Sequence, residues 1–120
     1  MTCPASIPAA RIRLGEMDFY IPTWQIRGCT LVSGEMADVP RFSEWLGLAE
    51  ETHTGLHLHL TIPASRVESG WTLWGELENV SLPSEQIFPL PPMVARTCRI
   101  PAMRALVGPR GFSPLLCWEE

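Results

Sequence analysis

Apolar and polar residues alternate strictly over residues 56–62, which read Leu-His-Leu-His-Leu-Thr-Ile. Because successive side chains of a β-strand point to opposite faces, the alternation predicts a strand with its aliphatic residues on a core and its histidines turned away. After a turn, residues 71–80 predict a second strand with Trp71, Leu73 and Leu77 pointing inward. This pair constrains the chain to an antiparallel sheet that buries one face.

The first part of the chain predicts a hairpin. Residues 11–14 and 17–21 each alternate between polar and apolar residues, and a Gly-Glu pair separates them. Pro22 ends the second strand or places it at a sheet edge, since proline has no backbone N–H to donate. Residues 25–32 predict a further short strand.

One short helix is predicted between these strands and the alternating pair. Phe42, Trp45 and Leu46 recur at helical spacing after a proline suited to a first turn. Gly47 can adopt the left-handed conformation that ends a helix. We therefore expect a helix from Arg41 to Leu46.

Prolines divide the last part of the chain into short elements. Residues 83–87 predict one helical turn, and residues 89–92 predict an extended connection. Two closing strands are expected at 104–107 and 115–118, with a turn at 108–111 between them. The sequence thus predicts an all-β barrel with one short helix.

Length and charge exclude several classes of protein. The 120 residues predict a single domain, 1–120, and no apolar run is long enough to cross a bilayer. All nine cationic residues are arginines and the net charge is −4, whereas nucleic-acid-binding proteins cluster cations against phosphates. We expect neither nucleic acid binding nor membrane insertion. The N-terminus resembles no secretory signal, so the cytoplasm is the expected location.

Residues that could carry chemistry are scattered. Cys3, Cys29, Cys98 and Cys117 form no Cys-x-x-Cys pair and are expected to be free thiols. No serine lies in a nucleophile motif, and the glutamates are dispersed as on a solvated face. The sequence therefore predicts no catalytic residue, no cofactor and no enzyme activity.

His57 and His59 are the one pair with plausible metal spacing, because alternate strand residues point the same way and two imidazoles can share an ion. Such a site would need a carboxylate a few residues on and another histidine later, and neither follows. We expect both histidines to face solvent without a metal. A small metal-binding β-barrel enzyme is the alternative.

Three segments together resemble a known family. Residues 14–22 look like a hairpin that ends on an aromatic-x-aliphatic-Pro step, residues 41–48 end on a Leu-Gly step, and residues 76–116 run through a proline crossover to a Leu-Leu strand. In this order they resemble the CheW-like domain, a non-catalytic adaptor module of bacterial chemosensory arrays. The resemblance implies a small SH3-like or CheW-like barrel, with residues 11–48 as an abbreviated first subdomain and residues 56–118 as the second.

The family usually carries a longer segment between the Ile-Pro step and the helix, including an Asn-Leu-Arg-Gly stretch on its partner surface. If residues 25–28 match that stretch, the resemblance implies that Arg27 and Gly28 bind the partner. In a second alignment Ile26 and Arg27 match an earlier Val-Arg, and the stretch is absent. A shortened subdomain would leave a sheet edge unpaired, which predicts self-association or an edge contact with a partner.

Trp74, Glu76 and Glu78 share the outward face of the predicted strand 71–80 and are further partner-binding candidates, with Trp74 expected to lie under residues 89–92. The resemblance implies a non-catalytic adaptor or scaffold of a chemotaxis or pilus-motility array. Its implied partners are a CheA-type histidine kinase, a methyl-accepting receptor or another CheW-like protein. An adaptor-mimicking inhibitor is the alternative.

Overall fold

The computed structural model describes residues 6–34, 38–48, 55–98, 102–108 and 112–118. Its strands are Ser6–Leu14 (β1), Met17–Pro22 (β2), Gly28–Leu31 (β3), Leu56–Thr61 (β4), Trp71–Pro83 (β5), Ile87–Pro89 (β6), Met103–Val107 (β7) and Ser113–Leu116 (β8). The α-helices are Phe42–Leu46 (α1) and Pro92–Thr97 (α2), and 3-10 turns lie at Thr23–Gln25, Pro63–Ser65 and Ser84–Gln86. The strands form one sheet in the order β3-β4-β5-β1-β2-β8-β7-β6, which confirms the all-β class. No helix in these described ranges has the length and hydropathy to span a membrane.

β1 and β2 form the predicted hairpin. Leu14 lies opposite Met17, and Gly15 takes a positive φ of 63° in the turn between them. β1 begins earlier than expected, and this added stretch pairs with the end of β5, where Ala9 lies opposite Val80. Adjacent small residues of β1 are buried on both faces of the sheet, so no alternation marks them in the sequence.

β4 and β5 confirm the alternating pair. They run antiparallel with Leu58 opposite Leu73 and Leu60 opposite Trp71, and these four side chains are buried. Leu56 was expected on the same face but is exposed, because it lies opposite Gly75, which offers no side chain to pack against.

α1 confirms the predicted helix with a start one residue later. Arg41 is the extended residue before it and bridges to Thr72 of β5. Gly47 ends the helix in the left-handed conformation, with φ of 77°. Phe42 and Leu46 are buried, so the helix covers the core over β5.

The extended connection at residues 89–92 was expected to lead directly to the closing strands, and the structure corrects this. Residues up to Pro89 form β6 against β7, and Pro92 begins the helix α2. Proline fits the first position of a helix because the N–H that it lacks has no partner there. β8 ends at Leu116, before the predicted end at residue 118, and residues 109–111 of the predicted turn lie outside the described residues.

Two hydrophobic cores lie along the sheet. The larger, which we call the first core, includes α1 and contains buried Ile12, Leu14, Phe19, Ile21, Phe42, Leu46, Leu58, Leu60, Ile62, Trp71, Leu73, Met103 and Leu116. The second core contains buried Ala9, Leu82, Ala105, Val107 and Leu115. The first core combines residues from 11–48 with residues from 56–118, and the second combines Ala9, just before residue 11, with residues from 56–118. Packing therefore crosses the predicted division into two subdomains. The division itself stays a prediction.

β7 and β8 contribute to both cores by different means. Leu115 and Leu116 are adjacent and point to opposite faces, one into each core. Met103 and Ala105 would share a face in a regular strand, but a register shift between them sends Met103 to the first core and Ala105 to the second.

Candidate partner-binding surface

A set of charged side chains lies on the outer face of β1, β2 and β5. In register, Arg11 lies opposite Glu78 and Arg13 opposite Glu76. Arg11 and Glu78 form an ion pair, whereas Arg13 Nε donates to Asp18 Oδ1 at 2.9 Å. We call these five residues the charged face. The arginines and glutamates of this face, together with Leu56 and Leu77, line an open groove of about 280 Å³.

The Asp18 carboxylate organises one end of the charged face. Its hydrogen bond and charge raise the pKa of Arg13, with smaller contributions from Glu76 and Glu78. Because Arg13 bonds to Asp18, Glu76 makes no ion pair within the described parts of the chain. An exposed carboxylate beside two arginines can therefore accept a hydrogen bond or a cation from another protein.

Trp74 lies on the outer face of β5 next to the charged face. Its ring stacks on the imidazole of His57, the residue opposite it on β4, at 4.4 Å between ring centroids and 3° between planes. Residues 89–92 were expected to pack over Trp74, and the structure corrects this. β6, which contains Pro89, lies at the far end of the sheet, and His57 of the neighbouring strand β4 packs on the ring instead. Trp74 is half-buried, so part of its surface remains exposed.

His59 is held by the turn before β5. Its Nε2 lies 2.5 Å from Ser69 O, and a Cβ at Gly70 would come within 2.8 Å of the same nitrogen. The imidazole N–H donates to that carbonyl. Both strand histidines thus have contacts within the protein, and the described residues contain no group of three or more His, Cys, Asp or Glu that could hold a metal.

Arg27 and Gly28 lie where the chain enters β3. Arg27 is exposed, and its backbone N–H donates to Thr61 O at 2.8 Å. A Cβ added at Gly28 would meet nothing within 4 Å, so the fold itself does not require glycine there. Since β4 separates β3 from β5, the structure does not bring this pair together with the candidates on β5.

A polar clasp that the sequence did not reveal fixes the approach to β3. The buried Gln25 donates from Nε2 to Trp118 O at 2.6 Å and accepts at Oε1 from Trp118 N–H at 2.8 Å. Trp118 in turn stacks on Trp45 of α1 at 5.2 Å. The sequence held one indication of these hydrogen bonds, a glutamine between the apolar residues Trp24 and Ile26, because a glutamine buried among such residues needs hydrogen-bond partners. The sequence did not indicate which residue would be the partner.

Sequence reasoning also missed Arg11 and Arg13 as members of the charged face. The signal was present, because Arg-x-Arg and Glu-x-Glu are matched patterns on two strands. Which arginine lies opposite which glutamate depends on the register of two strands far apart in the chain. This register cannot be deduced from the sequence.

No family model and no curated protein matches the sequence. The fold matches the crystal structure of the scaffolding protein TtCheW from Thermoanaerobacter tengcongensis, with a TM-score of 0.61. The match covers 94% of this chain and 90% of that chain at 9% sequence identity. At this identity the likeness shows the fold and leaves function to further argument. The chain has a CheW-like fold.

Proposed function

We propose that this chain is a non-catalytic adaptor of a bacterial chemosensory array, acting in the cytoplasm. The observation that carries the proposal is the CheW-like fold, which extends over 94% of the chain and is shared with a scaffolding protein. The charged face and the Trp74 surface support it, since interfaces that exchange partners combine an aromatic anchor with polar and ionic groups.

We infer that the first subdomain is abbreviated. Residues 23–27 alone join β2 to β3, and three of them form a 3-10 turn. The connection leaves no room for another strand. The short connection fits both alignments, and the proposal takes the one in which Arg27 and Gly28 occupy the positions of the family's Arg-Gly.

The proposed first partner is the CheW-like regulatory domain of a CheA-type histidine kinase, with Arg27 as a contact and Trp74, Glu76 and Glu78 as further contacts. Isothermal titration against that domain tests the proposal, using Arg27→Glu and the matched control Arg96→Glu. Arg96 is also exposed but lies on α2. We expect Arg27→Glu to weaken binding about tenfold or more, equivalent to about 1.4 kcal/mol, and the control to bind as the unmodified chain does.

Equal weakening by both variants would indicate a general charge effect and argue against a contact at Arg27. An absence of binding would remove the kinase as the partner, and the same titration with a methyl-accepting receptor tip or another CheW-like protein would follow. Kinase activity in a reconstituted array then separates the two modes of action. A coupler raises activity, whereas an adaptor-mimicking inhibitor that occupies the same surface lowers it.

A further inference from the structure

We propose that the outer edge of β3 pairs antiparallel with β3 of a second copy of this chain, with Thr30 of both copies at the centre. This proposal gives the self-association that was predicted from the sequence a defined contact surface and a defined strand register. The inference stands apart from the kinase proposal, because it rests on strand pairing and not on a family resemblance.

Backbone hydrogen bonds define which groups of β3 point outward. Val32 N–H donates to His57 O at 2.9 Å, and this bond continues the β3–β4 register, in which alternate residues of an antiparallel strand face the same neighbour. The bond from Arg27 N–H to Thr61 O precedes the strand and lies outside this register, because Thr61 is opposite Gly28. Thr30 therefore also faces β4, while the backbone N–H and C=O groups of Cys29 and Leu31 point away from it. β3 is the first strand of the sheet, and no described residue pairs with this outer edge.

The side chain of Leu31 is an apolar group left exposed at the edge of the sheet. Leu31 lies opposite Leu58 in register, so both side chains lie on the same face of the sheet. Leu58 is 5% exposed, whereas Leu31 is 67% exposed. A strand added beyond β3 would lie beside Leu31 and reduce this exposure.

The edge strand at the opposite end of the sheet, β6, is less suited to pairing with another strand. Gly108 N–H donates to Gln86 O and Leu90 N–H donates to Arg104 O, both at 2.9 Å, which turns the backbone groups of Pro89 outward. Proline has no N–H, so the outer edge of β6 has lost a donor. β3 consists of Gly-Cys-Thr-Leu and contains neither proline nor charge, two of the devices by which proteins block strand addition.

A second copy fits this edge because the outward groups are self-complementary. Centring the pair on Thr30 places Cys29 of each copy opposite Leu31 of the other and allows four backbone hydrogen bonds. The two Arg27 side chains, the charges nearest this edge among the described residues flanking β3, then lie about 20 Å apart along the paired strands, so they do not repel strongly. The contact is small, and the dimer is accordingly weak and reversible.

Disulfide trapping tests the register. The parent variant has the four cysteines replaced by serine and is first shown to fold by circular dichroism. In it, Thr30→Cys places two thiols on directly opposite residues about 4.5 Å apart at Cα, a distance that a disulfide spans. The matched control Ser33→Cys places them about 20 Å apart. We expect Thr30→Cys to form a covalent dimer under mild oxidation and Ser33→Cys to remain monomeric.

Sedimentation equilibrium tests the surface with the native cysteines in place. Leu31→Lys adds a charge at the edge, and Met93→Lys adds the same charge on α2, where Met93 is 79% exposed. We expect Leu31→Lys to weaken dimerisation at least tenfold and Met93→Lys to leave it unchanged. A chain that stays monomeric at every concentration, equal effects of the two lysines, or trapping through Ser33→Cys would overturn the proposal.

Discussion

The two hydrophobic cores differ in the size of their residues and in what closes them. The first core contains buried aromatic rings. Trp45 of α1 packs against Phe42, Trp71 and Trp118, with ring centroids 5.1 to 5.6 Å apart. The second core contains alanine, valine and leucine, and no buried residue of it comes from a helix.

This difference teaches how one sheet supports two kinds of packing. Large rings from distant segments fill the space between α1 and the sheet, whereas small aliphatic residues let strands approach each other without a covering helix. β1 and β5 run through both cores, with Ile12 in the first and Ala9 in the second. We therefore expect the cores to unfold together, although they do not contribute equally.

Phe42→Ala is expected to have the largest effect on stability. Phe42 is fully buried and contacts Trp45 and Trp71, so its loss should cost about 3–5 kcal/mol of the free energy of unfolding. Leu82→Ala, the counterpart in the second core, should cost about 2–3 kcal/mol. Urea unfolding followed by tryptophan fluorescence and by circular dichroism measures both. Transitions that differ between the two probes would contradict joint unfolding.

Gly75→Ala tests the point where β5 leaves β4 and begins to pair with β1. A Cβ at Gly75 would overlap the carbonyl oxygen of Arg13, and backbone cannot move aside as a side chain can. We expect a loss of about 1–3 kcal/mol in the free energy of unfolding. Gly28→Ala is the matched control, because its Cβ meets open space, and should change stability by less than about 0.5 kcal/mol. Similar urea midpoints for the two variants would disprove the close approach.

Gln25→Ala sharpens the comparison by loosening the first core alone. It removes both hydrogen bonds to the Trp118 backbone, which should cost about 1–2 kcal/mol of unfolding free energy. Gln86→Ala, on the turn that leads to β6, should have a smaller effect. Trp118 should also become more accessible to a fluorescence quencher in Gln25→Ala. Unchanged stability and quenching would mean that the clasp does not hold the C-terminal segment in solution.

Cys29, at the rim of the first core, gives the smallest expected effect, a dependence of the free energy of unfolding on alkaline pH. Burial there raises the pKa of the Cys29 thiol. The folded protein then holds this proton at a pH where the unfolded chain has lost it, so the contribution is complete below about pH 8.5 and disappears as pH rises through the folded pKa. The change should stay under about 1 kcal/mol because the group is partly solvated. Urea midpoints of the native chain should fall with pH over this range more than those of Cys29→Ala, and parallel curves would refute the assignment.

Periodicity predicted the elements that pack on one face. The strict alternation of residues 56–62 gave β4 its position, and helical spacing with Gly47 gave α1 its position and its end. The N-terminal half of β1 was missed because Ala9 and Ala10 are buried on both faces and show no period. α2 was missed because a run of prolines indicates extended chain, while Pro92 also suits a first helical turn.

The candidate site was predicted only in part, for the same physical reason. The sequence placed Trp74, Glu76 and Glu78 on one face of a strand, and their surfaces do lie outward. It could not place Arg11 opposite Glu78 or His57 against Trp74, because such pairs depend on which strands become neighbours and in what register.

Local pattern and turn chemistry, written in the sequence, determined that this chain forms strands, where the hairpin turns and where α1 ends. Tertiary structure alone decided that Gln25 holds Trp118, that a shift in β7 divides Met103 and Ala105 between two cores, and that Leu31 is left exposed at the end of the sheet. Each of these outcomes depends on contacts between residues distant in the chain. Their free energies arise from close approach in the folded state, which no local pattern encodes.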